Sequence, residues 1–122
     1  MTRQEYYDLL VRSATDGTFP SANKDGECLY RYEDDKGVVH RCAVGVVIPD
    51  RINVSKYESM LPQHITEHFP EGMSSVEMRC VQSIHDECAG DPWEPKKFIK
   101  LLNLSYVFKD CELVDVDGDE RG

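Results

Sequence analysis

Four capping boxes punctuate this chain, and they set most of what it can fold into. In each, a Ser, Thr or Asp is followed three residues later by Glu: Thr2 with Glu5, Ser55 with Glu58, Ser74 with Glu77, and Asp91 with Glu94. Such a pair satisfies, reciprocally, amide donors that a helix start leaves orphaned. The first box opens a helix with the stripe Tyr6, Leu9, Leu10 and Ala14, ended by Asp16-Gly17. The second opens a short helix through Leu61, and Pro62 suits the first turn of another that stops before Pro70. The third opens a helix with Val76, Cys80, Val81, Ile84 and Cys88 on one face, terminated by Gly90. The fourth starts the last helix, with Phe98, Leu101, Leu102, Ser105 and Phe108 facing inward.

Between the first and second boxes the pattern changes. Glu27 to Glu33, a turn cluster Asp34-Asp35-Lys36-Gly37, and Val38 to Ile48 read as a β-hairpin. A two- or four-residue loop pairs Glu33 with Val38 and Leu29 with Cys42; an odd loop would instead bring Cys28 and Cys42 to one face. The run CAVGVVI, Cys42 to Ile48, is apolar on both faces and is expected to be the most buried strand, stopped by Pro49. Glu112 to Val116 could add a third strand. The fold expected is therefore α+β: a small antiparallel sheet covered by four to five helices, with Val44, Val46, Ile48, Val81, Ile84, Phe98, Leu101 and Leu102 in the core. The 122 residues make one domain, with 117–122 a flexible acidic tail.

Two segments carry a resemblance. HRCAVGVVIPD (His40 to Asp50) and VQSIHDE (Val81 to Glu87), the first preceded by CLYRY and the second followed by Trp93, resemble segments of a group of small uncharacterised bacterial and bacteriophage proteins. Those proteins show Cys-Ala-x-Gly…Ile-Pro-Asp and Gln-x-Ile-His-Asp in the same order. The resemblance implies a compact cytoplasmic protein, of a kind that a phage could encode. It implies no activity.

Charge narrows the classes of function. The net charge is −9, with seven acids in 56–92 against Lys56 and Arg79, and six in 110–122 against Arg121. Only 93–109 is basic, through Lys96, Lys97, Lys100 and Lys109. An acidic surface repels phosphate backbones, so nucleic-acid binding is disfavoured; the charge serves solubility, or, more sharply read, meets a protein partner with a basic surface or mimics the charge of a nucleic acid. Asp115, Asp117, Asp119 and Glu120 are the residues expected to meet such a partner. The longest apolar run is seven residues, far short of the ~20 that span a bilayer. The N-terminal MTRQEYYDLL lacks the apolar segment of a signal peptide. Five cysteines, an odd number without a CxxC pair, read as buried thiols in a reducing, cytoplasmic setting.

The site-like residues are few. His85 stands at the border of the third helix's apolar stripe, beside Asp86, and could act as a general base with Arg41 and Asp50 orienting a substrate. Asp50, at the strand end, is expected to approach it. No nucleophile is identifiable beside His85, so a histidine that fastens its helix to a loop is the competing expectation. Arg41 and Asp50 flank the apolar strand, as an ion pair or with Arg41 as an anion binder. His64-Ile65-Thr66-Glu67-His68 matches the H-x-x-E-H spacing of zinc peptidases. It sits in too short a segment and lacks a third ligand. Cys28, His40, Cys42, Cys80, His85 and Cys88 lack the close spacing of structural zinc. Asp115 to Asp119 imitates only the start of a calcium loop, and Trp93 with its neighbouring lysines could clamp a nucleotide. No cofactor or metal is expected. The sequence favours a non-enzymatic, protein-binding regulator, with a small hydrolase or nucleotide-processing enzyme at His85, Asp86, Arg41 and Asp50 as the alternative.

Overall fold

Thr2 and Glu5 cap each other's amides in the computed structural model, which describes residues 1–21, 31–48, 68–89 and 92–116. They start α1, Arg3–Thr15, which buries Tyr6, Tyr7, Leu10, Ser13 and Ala14. Arg31–Glu33 (β1) and Val39–Arg41 (β2) form a two-stranded antiparallel hairpin. A 3-10 turn, Gly45–Val47, follows, and then α2, Ser75–Cys88, and α3, Pro95–Leu104. A last 3-10 turn spans Tyr106–Phe108. Ser74 and Glu77 cap α2 reciprocally, as their spacing requires.

The helices meet in one core. Tyr6, Tyr7, Phe98 and Phe108 are its largest fully buried side chains, joined by Leu10, Val44, Met78, Val81 and Leu102. Phe108 sits with its ring centroid 5.5 Å from that of Tyr7, a tilted aromatic contact. Arg3 ties the elements together at the rim, donating to Glu77 at 2.5 Å, to the Val107 carbonyl at 2.9 Å and to the Gly72 carbonyl at 2.9 Å.

The sheet differs from the sequence reading. Among the described residues there are three α-helices, not four to five, and a sheet of two short strands. The segment of the second box, Ser55–Leu61, lies outside the described residues. The register pairs Glu33 with Val39, so the loop has five residues and the odd of the two expected registers is the one formed. The Asp34 side chain explains the choice: it accepts the N–H groups of Lys36 at 2.9 Å and Val38 at 3.0 Å, while Gly37 turns at φ +82°. An extra residue is thereby drawn into the turn, and only glycine takes that φ without strain.

The apolar run after β2 is not a strand either. At Cys42 the chain coils, with the Val46 N–H bonded to the Cys42 carbonyl at 3.0 Å and the Gly45 N–H to the Cys42 sulfur at 3.2 Å. An apolar run records burial, and a buried turn reads the same as a buried strand. No third strand forms at 112–116, whose backbone groups bond to side chains instead. α3 also starts later than Asp91. Glu94 is its N-cap and Pro95 its first residue, because a proline deeper in the helix would lose a hydrogen bond and clash with the preceding turn.

Candidate functional site

α2 carries the sequence's most site-like residues, and its register decides their fate. Met78, Val81, His85 and Cys88 recur at helical spacing on its buried face. His85 is therefore inside the core, with no exposed surface, not at its border. Phe19 meets its ring edge-on at 5.1 Å between centroids, and Trp93 lies at 6.0 Å. Trp93 is itself fixed, its indole N–H donating to the Ala14 carbonyl at 2.8 Å.

Both imidazole nitrogens are used. The Ser21 N–H donates to Nε2 at 3.1 Å, so Nε2 carries the lone pair and Nδ1 carries the proton. Nδ1 then donates to the Asp86 carboxylate at 2.9 Å. The same Asp86 oxygen accepts from the Gln82 amide at 2.8 Å, and the Gln82 carbonyl oxygen accepts the Val44 N–H at 3.0 Å. The chain of bonds Val44–Gln82–Asp86–His85–Ser21 joins the CAVG segment, α2 and the segment after Phe19. Sequence reading found His85 and Asp86 but missed Ser21 and Gln82. Gln82 stands three residues before His85, on the adjoining face of the same helix, and that spacing was the available signal.

Chemically, this arrangement fastens chain segments. A general base needs an accessible lone pair near its substrate, and the Nε2 lone pair here is occupied by a backbone amide inside the core. The Ser21 hydroxyl is buried and has no hydrogen-bond partner among the described residues.

The remaining sequence candidates are placed separately. Arg41 ends β2 and lines an open cleft of about 420 Å³ with Arg12, Asp16, Thr18 and Ile48; neither His85 nor Asp86 lines it. Asp50 lies outside the described residues, as do Cys28, His64, Glu67, Asp117, Asp119 and Glu120. His40 is bonded to the Asp34 carboxylate at 2.9 Å and stacks on Tyr32. That bond, with the two backbone amides, holds the Asp34 carboxyl below the usual aspartate range. Burial pushes the Cys88 and Cys111 thiols up, and Cys80, Cys88 and Cys111 are free thiols. Among the described residues no group of three or more His, Cys, Asp or Glu could hold a metal ion. None of their helices is long and apolar enough to cross a membrane.

One surface feature is built more deliberately than its sequence suggests. Gln4 bonds both backbone groups of Glu112, accepting its N–H at 2.7 Å and donating to its carbonyl at 3.1 Å. Val114 is held the same way, its N–H on the Tyr7 hydroxyl at 2.9 Å and its carbonyl on the Asn103 amide at 2.7 Å. Tyr7 in turn donates to Asn103 at 2.6 Å, and Val116 is buried beyond. The strip 112–115 is thus pinned by its backbone while Glu112, Leu113, Val114 and Asp115 are exposed. Comparisons with protein-family models, curated proteins and solved structures found no match to the chain.

Proposed function

We propose that this chain is a small acidic protein-binding module, a regulator whose recognition element is the strip 112–115 and the acids that follow it. The supporting observation is the double pinning of Glu112 and Val114. It fixes an exposed acidic and apolar sequence in one conformation before any partner arrives, so less conformational entropy is lost on binding. Leu113 and Val114, each about two-fifths exposed, supply apolar contact. Glu112 and Asp115, with Asp117, Asp119 and Glu120 beyond them, supply charge that steers a partner with a basic surface. Such a regulator would act in the cytoplasm, where its cysteines stay reduced.

Affinity capture from the source cells, read by mass spectrometry, tests the reading. A defined protein should be retained by the native chain. It should be lost by the variant carrying Glu112→Gln and Asp115→Asn, and weakened by salt, since exposed charges are screened within about 10 Å at 0.1 M. Equal retention by both chains, or no retention by either, would overturn it.

A further inference from the structure

The outward face of α3 has the chemistry that the acidic strip lacks. α3 buries Phe98, Ile99 and Leu102, so its 3.6-residue period turns Lys96, Lys97, Lys100 and Leu104 away from the core. The three lysines, with Glu94, line an open cleft of about 320 Å³. Leu104 is 78% exposed and Tyr106, just beyond the helix, 58%. The Cys80 sulfur, on α2, lies 3.8 Å from the Ser105 hydroxyl between them. Large apolar side chains gathered on one surface mark an interaction site more often than scattered ones do. This patch is rimmed by lysines in a chain of net charge −9. Its occupant should therefore be acidic and apolar.

The strip 112–115 fits that description, and it lies next to the patch. Asn103, the residue before Leu104, holds the Val114 carbonyl at 2.7 Å. Two complementary surfaces side by side on one molecule can meet reciprocally about a two-fold axis, which closes the assembly after two copies. We propose that this chain forms a two-fold dimer in which the strip 112–115 of each copy lies on the Lys97–Leu104–Tyr106 face of the other. The proposal rests on the strip being the recognition element, and it names a second copy as the strip's partner. The contact is small beside the ~20–30 residues a side of a standard interface, so a dissociation constant on the order of 10–100 μM is expected.

Analytical ultracentrifugation of the full chain tests this, with circular dichroism confirming that each variant is folded. The native chain should pass from monomer to dimer between about 10 μM and about 1 mM, and the transition should move to higher concentration as salt screens the charges. Leu104→Glu, a change on an exposed side chain, should abolish the dimer. So should Lys96→Glu with Lys97→Glu in one chain, and Glu112→Lys with Asp115→Lys in another. Mixing these two charge-reversed chains should restore a dimer, because each strip then meets a face of opposite sign. A chain that stays monomeric at about 1 mM, or a dimer untouched by Leu104→Glu, would overturn the proposal. Such a result leaves the binding module standing if capture still yields a partner lost on neutralising Glu112 and Asp115.

Discussion

The backbone N–H of Ser21 donates to Nε2 of His85 at 3.1 Å, while the Ser21 hydroxyl, equally buried, has no hydrogen-bond partner among the described residues. The two halves of Ser21 should therefore respond differently to mutation. Ser21→Ala keeps the amide and removes a buried hydroxyl, so stability should be unchanged or rise by up to ~1 kcal/mol. His85→Ala empties a space between Phe19 and Trp93 and orphans the Ser21 amide, and should cost ~2–4 kcal/mol. Urea unfolding of both variants measures this. A loss above ~1 kcal/mol for Ser21→Ala would mean that the hydroxyl, not the amide, matters.

Gln82 carries the next link. Gln82→Ala removes the acceptor for the Val44 N–H and the donor to Asp86 in one change, and should cost ~1–3 kcal/mol because a buried amide is left unpaired. Gln82→Glu keeps an acceptor for Val44 but sets a second carboxylate against Asp86. Hydrogen exchange at the Val44 amide separates the two effects. It should accelerate strongly in Gln82→Ala and remain closer to native in Gln82→Glu.

How much of this was legible in the sequence depends on how local each signal is. The capping boxes at Thr2 and Ser74 were readable because both partners lie within one turn of helix. The α3 start was misread because Asp91 and Glu94 satisfy the same pattern while Pro95 overrules it. The hairpin register stayed open between an even and an odd loop because a single side chain, Asp34, decides it by drawing Val38 into the turn. CAVGVVI was misassigned because its apolar character reports burial under Tyr6, whose hydroxyl bonds the Ala43 carbonyl, and not strand pairing. The pinned strip was beyond reach: Gln4 and Glu112 are 108 residues apart, and no local pattern couples them.

Adjacent leucines on α3 give a direct check of its face. Leu102 is fully buried, whereas Leu101 only packs against the edge of the core. Leu102→Ala should cost ~3–5 kcal/mol and Leu101→Ala ~1–2 kcal/mol. Thermal and urea unfolding of the pair measure the difference. Equal losses would mean that the helix is rotated from the orientation described.

The last expectation concerns acid. The Arg3 guanidinium, bonded at 2.5 Å, and the Ser74 N–H at 3.0 Å hold the Glu77 carboxyl below the usual glutamate range. A carboxyl that is harder to protonate when folded makes the unfolded chain bind more protons over that interval. Stability from this group is therefore complete above the ordinary glutamate value of ~4.3 and is lost as pH falls through the lower folded value. Glu77→Gln should cost ~1–2 kcal/mol at neutral pH, since it trades a charged partner of Arg3 for a neutral one. It should also flatten the fall in stability below pH ~4.3, because the titrating group has gone. Urea unfolding from neutral to acidic pH, native chain against Glu77→Gln, reads both effects. Parallel curves, with the same slope below the glutamate range, would show that Glu77 contributes nothing to the acid limb and that the Arg3 bond is not formed in solution.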